Sequence, residues 1–341
     1  MTSGNGPESP AQLKGHDWKG VLRRTMRQFS EDKLTHWAAA LTYYGVLSIF
    51  PGLLALVSLL GLFGQSATQP LLDNLTTLAP GPARDILTNA IENLQGAGGA
   101  AGFAFVIGLA AAIWSASGYI SAFMDASNAV WDVPEGRPIW KKLPLRVGLT
   151  VLMLVLLVIG ATAVVVSGPI AQQVGDVVGL GDTALTVWGI AKWPVLALMV
   201  SFMISLLYWL APNVKQPGFP WVTVGGLAAV VLWVVASLAF AFYVANFGNY
   251  NKTYGSLGGV IAFLVWLWIS NIVILLGAEL NSEMERGRAI AKGEPSEKEP
   301  YLPLRDEPKE KGKDPATEEA ERRASGRFSG NHQDESARTA G

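Results

Sequence analysis

Trp114, Ser117, Ser121, Asp125 and Asn128 are spaced 3, 4, 4 and 3 residues apart, so any helix that contains them presents them on one face. That face carries an indole, two hydroxyls, a carboxylate and an amide. Such groups can bind a polar ligand, relay a proton, or hold helices together in hydrocarbon. Tyr44, Ser48, Pro51 and Gly52 form a second face at i, i+4, i+7 and i+8. Pro51 cannot donate to the Leu47 carbonyl and opposes it sterically. An unpaired carbonyl facing lipid is costly, so this face is expected to turn inward. Two arrangements meet that demand. One is a kinked helix packed on its neighbours, with Ser48 or water pairing the freed group. The other is a broken helix lining a substrate path.

Asp125 is read as a cap or an ion-pair partner of the basic loop at 137–146, with a binding or relay carboxylate as the alternative. Tyr254 and Gly255 open a glycine-rich turn before the last apolar stretch. That stretch carries Ser270 and Asn271 inside and ends at Glu279, which is expected to pair with the same basic loop. His16, His36 and His332 are too scattered for a metal cluster, and zero cysteines exclude disulfides and thiolate sites. No Walker loop, GxSxG or HExxH occurs. No charged side chain sits at the midplane of an apolar stretch, where ion-coupled transporters usually keep one. No catalytic residue, metal or cofactor is expected, and no nucleic-acid partner.

The elements that must position these faces follow from composition. Half of the 341 residues are apolar and only 16% are charged, against about 25% in an ordinary soluble domain. A stretch of roughly 20 apolar residues crosses the hydrocarbon core as a helix. Six stretches qualify, at about 38–64, 101–124, 147–170, 193–211, 221–246 and 260–280. The predicted fold is an all-α integral membrane protein of six spans, with a transmembrane domain over 38–283. Residues 1–15 are expected to be disordered, and 1–37 hold no signal-peptide core.

Eleven lysines and arginines flank the spans on one side, at positions 14–33, 137–146 and 215, against Arg84, Lys192 and Lys252 on the other. The positive-inside rule then puts both termini in the cytoplasm. Residues 16–37 form an amphipathic helix, lying on the inner leaflet or docked against the bundle. Residues 71–94 make two short amphipathic pieces about Pro80-Gly81-Pro82, a plausible outer cap. From 284 to 341 the composition turns to Glu, Lys, Pro, Arg and Gly, and this tail is expected to be disordered and cytoplasmic.

Several runs together resemble the YihY/BrkB family of bacterial inner-membrane proteins. They are Ala39-Ala40-Leu41-Thr42-Tyr43-Tyr44 with Leu47-Ser48-Ile49-Phe50-Pro51, Ile113 to Ser117 with Asn128-Ala129-Val130-Trp131, Tyr254 to Gly258, and Leu276-Gly277-Ala278-Glu279-Leu280. The resemblance covers about residues 20–285 and implies six spans in the inner membrane. Members have carried the labels virulence factor and ribonuclease BN, and some have been linked to export of envelope lipids. The resemblance brings no catalytic residues.

Three functions fit. A conduit for a lipid or other amphiphile accounts for uncharged polar faces and an interrupted first helix. A scaffold for other envelope proteins would use the same polar groups as packing glue. A ribonuclease would need clustered acid and base or metal-holding carboxylates, and the cytoplasmic segments offer Asp125, Asp132 and Glu135 with no histidine beside them. The conduit ranks first, with membrane lipids as partners and no enzymatic activity.

Overall fold

The computed structural model describes residues 15–61, 100–165, 182–216, 222–246, 257–295 and 300–308. These residues are helical apart from short connections. In chain order the helices are α1 (Gly15–Glu31), α2 (Leu34–Gly61), α3 (Ala100–Val130), α4 (Ile139–Val165), α5 (Asp182–Leu210), α6 (Val224–Asn246) and α7 (Leu257–Ala291). Four carry segments long and apolar enough to cross a membrane: Ile139–Val164, Thr186–Leu210, Val224–Asn246 and Gly258–Ala291. Helices α2 and α3 run for 28 and 31 residues.

Helix α2 packs on α3 and α7, α6 packs on α7 and α5, and α4 bridges α3 and α5. The tight core lies toward one end of the bundle, here termed the base, where the α1–α2, α3–α4 and α5–α6 connections lie. Leu34 and Leu41 of α2, Phe123 and Met124 of α3, and Leu275 of α7 are fully buried there. Away from the base, large apolar side chains point outward, among them Val231, Val235, Leu238 and Phe242 of α6. That inverts the pattern of a water-soluble protein and suits a hydrocarbon solvent.

Small residues let two helices touch backbone to backbone. A Cβ on Gly277 would lie 2.6 Å from the Gly225 carbonyl oxygen and 2.6 Å from the Tyr208 hydroxyl. Only glycine fits this α6–α7 crossing.

Helix α1 docks on the bundle. Val21 is buried against Met284, with Trp18 and Leu280 beside it. Arg24 Nε donates to Glu283 at 2.5 Å. Leu22 and Met26 remain exposed, alongside the exposed Arg23 and Arg27.

The expectation of a disordered tail from residue 284 is corrected for the residues described beyond that point. Helix α7 continues to Ala291, and residues 300–308 fold back under the base. Val214 and Leu304 form an antiparallel bridge, and Lys215 N–H donates to the Pro303 carbonyl at 2.9 Å. The Arg305 Nε donates to the Val214 carbonyl at 2.8 Å, and the Tyr301 ring packs 5.8 Å from that of Trp131. Charged composition did not prevent order, because Arg305 bonds the Val214 and Trp209 backbone carbonyls while Tyr301, Leu302 and Leu304 pack against the main core. The remainder of the tail, the 71–94 cap and the 1–14 segment lie outside the described residues.

Candidate functional site

The polar faces divide into an open groove and a packed base. The groove is an apolar cavity of about 440 Å³ bounded by α2, α3 and α4. Gly45, Ser48 and Ile49 supply one wall, Ala116 and Tyr119 a second, and Met153 with its helical neighbours a third. Its volume falls in the usual range for small-molecule sites. Leu157 lines it and is itself exposed, so the groove opens sideways through an apolar rim.

Ser48 lies within the groove wall as expected, but it does not pair the carbonyl freed by Pro51. Its Oγ donates to the Tyr44 carbonyl at 2.6 Å and lies 3.4 Å from the Ala116 carbonyl of α3. Helix α2 is continuous through Pro51 to Gly61, so the broken-helix arrangement does not occur. One missing backbone bond is tolerated where the turns before it are packed and bonded.

Tyr44 corrects the expectation that its face turns inward, and Trp114 is not enclosed either. They are 40% and 55% exposed. Tyr44 packs over Gly118, where a Cβ would sit 3.5 Å from its ring. Trp114 is covered by a cation: the Arg146 guanidinium lies 4.9 Å from the indole centre. Amphipathic rings tolerate this half-exposed setting because their polar edges and faces can still be satisfied.

Ser117, by contrast, is fully buried. It donates to the Trp114 carbonyl at 2.6 Å and accepts from Arg146 Nε at 2.7 Å. Among the described residues Arg146 has no carboxylate partner. Sequence reasoning counted it as a loop residue, yet α4 starts at Ile139 and carries Arg146 two turns into the bundle. The usable signal was Thr150, one turn on, whose hydroxyl donates to the Arg146 carbonyl at 2.8 Å and which lines the groove.

Behind the groove wall a relay of neutral groups ties three helices. Tyr119 donates to Asn271 Oδ1 at 2.9 Å, and Asn271 Nδ2 donates to Thr42 Oγ1 at 3.1 Å. Asn271 is 1% exposed, as its interior position implied. Thr42 and Tyr119 were not singled out, because only the crossing of α2, α3 and α7 brings them to it.

Farther along α3 the polar face becomes structural. Ser121 is half-buried. Asp125 accepts from Lys142 Nζ at 2.9 Å, the ion pair anticipated for it. Asn128 is buried. Its Oδ1 accepts the Asn213 N–H at 2.8 Å and its Nδ2 donates to Glu135 at 3.3 Å. Glu135 also accepts two bonds from the Arg137 side chain, at 2.8 Å each. Partial burial pushes the Glu135 carboxyl upward, but those bonds, with the Arg137 and Lys142 charges, hold it below its ordinary range.

Glu279 departs from expectation. Every basic side chain of the 137–146 loop is engaged elsewhere: Arg137 with Glu135, Lys141 with Asp306, Lys142 with Asp125 and Glu135, and Arg146 with Ser117. Glu279 instead lies 1% exposed among other acids. Tyr254 and Gly255 are outside the described residues. No group of three or more histidine or acidic side chains suited to a metal ion occurs among the described residues.

With this arrangement in view, the family model described as Virulence factor BrkB matches residues 25–301. The chain belongs to the BrkB family. It is 31% identical over 253 residues to the ribonuclease-like protein YfkH of Bacillus subtilis, covering 74% of this chain and 90% of that one. It is also 31% identical over 283 residues to a UPF0761 membrane protein of Alkalilimnicola ehrlichii, covering 80% of this chain and 61% of the relative. A UPF0761 membrane protein of Xanthomonas axonopodis pv. citri is 28% identical over 297 residues, covering 81% and 66%. The chain therefore spans about two thirds or less of these UPF0761 proteins. No solved structure matches it. It is a membrane protein of the BrkB and UPF0761 kind.

Proposed function

We propose that this BrkB-family protein is a non-enzymatic conduit for an anionic amphiphile of the envelope. On this reading α2 and α3 join the four apolar helices α4 to α7 as six spans. The base faces the cytoplasm of a bacterial cell, and the bundle sits in the inner membrane. The observation that carries the reading is the apolar groove of about 440 Å³, with Arg146 one helical turn before its lining residue Thr150. Arg146 is adjacent in space to Ser117 and Trp114, and no acidic side chain among the described residues neutralises it. An acyl chain suits the groove. A phosphate or carboxylate headgroup suits a guanidinium held by a hydroxyl and an indole face.

The ribonuclease label of one relative finds less support in this chain. Asp125 and Glu135, two of the carboxylates beside the basic loop, are held in ion pairs with Lys142 and Arg137. The test is transfer of a fluorescent anionic lipid between leaflets of vesicles containing purified protein. Ser48→Trp should fill the groove and reduce transfer at least about tenfold, a loss equivalent to roughly 1.4 kcal/mol. Arg146→Gln should reduce transfer of anionic lipid more than of a zwitterionic one. Unchanged transfer by folded Ser48→Trp protein would overturn the route.

A further inference from the structure

At the base, the α1–α2 turn, the end of α3 and the last turns of α7 bring four acids into one neighbourhood: Asp32, Asp132, Glu279 and Glu283. Glu283 is answered by two guanidiniums, Arg24 Nε at 2.5 Å and Arg286 Nη1 at 3.2 Å. Glu279 is not. Neither of its carboxylate oxygens meets an N–H or O–H donor, and Asp32 Oδ2 is equally buried and unanswered. Asp32 and Glu279 lie within hydrogen-bond reach of each other. Two ionised carboxylates cannot share so dry a space, because each would be desolvated and repelled at once.

The surroundings offer little relief. From α1 come Glu31 and Arg24, from the end of α3 Asp132, from α7 Glu283 and Arg286, and from the 300–308 segment the buried Tyr301 phenol. Both arginines pair with Glu283, and Arg286 also covers the Tyr301 ring. Lys33, next in the chain to Asp32, is exposed, with a left-handed backbone at φ 53°. The described acids are not grouped so that three of them could hold a metal ion.

We propose that Asp32 and Glu279 form a proton-binding carboxyl pair, one acid donating to one carboxylate, which ties the α1–α2 turn to α7. The pair takes its proton from water through Asp32, which is only half-buried. Once both protons have left, two negative charges face each other and the turn is pushed from α7. Burial, then the Asp132 charge, raise Asp32 from 3.8 to about 7; the bond from Glu279 offsets part of this, and Glu31 and Glu283 add to it. The first proton of the pair is thus released in the physiological range, in a titration whose apparent values belong to both groups together. The folded state holds this proton more tightly than the unfolded chain does. The resulting stability is complete below 3.8 and is lost as pH rises through about 7. None of this depends on what the groove carries.

Infrared difference spectra of the full-length protein in nanodiscs, recorded across that pH range, test it alongside thermal unfolding. Wild type should show a protonated-carboxyl stretch that weakens as pH rises, together with a fall in Tm. Glu279→Gln supplies a permanent amide donor to Asp32, so the band and the pH-dependent fall in Tm should both be lost. Asp32→Asn should likewise abolish the pH-dependent change in band and Tm, which guards against one variant failing to fold. A band absent from wild type, or unchanged in both variants, would overturn the proposal. So would sodium, magnesium or calcium raising the Tm of wild type but not of Glu279→Gln, which would make the pair a metal-cation site instead.

Discussion

Asn128 and Arg146 exchanged the roles their positions implied. Asn128 shares the Trp114–Ser117 face, yet the α5–α6 connection meets it and makes it a hub joining Asn213 to Glu135. Arg146 reads as a loop cation but reaches Ser117 inside the bundle. Helical spacing gave which side chains share a face; it could not say which neighbour that face meets. Glu135 carries a test at this scale. A carboxyl held below its ordinary value contributes stability that is present above about 4.5, its value unfolded, and is lost as pH falls through the lowered folded value. Glu135→Gln should therefore cost about 2 kcal/mol near neutrality, in the range for charged hydrogen bonds. The gap from wild type should close on acidification, as read from thermal unfolding in detergent over a pH series.

Among elements, the α6–α7 crossing governs how closely the last helices pack. Gly225 and Gly277 meet backbone to backbone, and the Tyr208 hydroxyl bonds the Ile274 carbonyl beside them. Gly277→Leu has no room to expand into, so it should separate the helices. The cost is on the order of 1–3 kcal/mol or more, visible as a lower Tm and a broadened size-exclusion peak. Gly259→Ala serves as the control, since a Cβ there meets nothing within 4 Å. The apolar character of α4, α5, α6 and α7 could be read from the chain, because hydrocarbon permits few polar residues in a span, but their bounds could not. The continuity of α2 through Pro51 could not. Whether a proline breaks or merely interrupts a helix depends on the packing around it, and Leu34, Ala38 and Leu41 anchor α2 firmly on one side.

In the molecule as a whole, the 300–308 segment closes the base. Asn213 Nδ2 donates to the Pro134 and Asp306 carbonyls at 3.1 and 2.8 Å, joining two loops to the returning chain. Ser282 donates to the Val130 carbonyl at 3.0 Å and bonds Tyr301 as well. Truncation should therefore be sharply position-dependent. Removing 309–341 should leave Tm and lipid transfer intact if the protein is a conduit, whereas a scaffold working through its tail should lose partner binding. Removing 296–341 should lower Tm by several degrees in either case, because it strips the clamp. The amino-acid order alone determined the membrane class, the apolar character of α4 to α7 and the family, because a hydrocarbon solvent and residue-by-residue motifs both act locally along the chain. Tertiary structure alone decided that a charged segment closes the base, that Arg146 reaches Ser117 inside the bundle, and that Glu279 faces Asp32 rather than the basic loop. Those outcomes depend on which helices cross where, and electrostatic and hydrogen-bond energies fall off over a few ångströms that no spacing along one helix can specify.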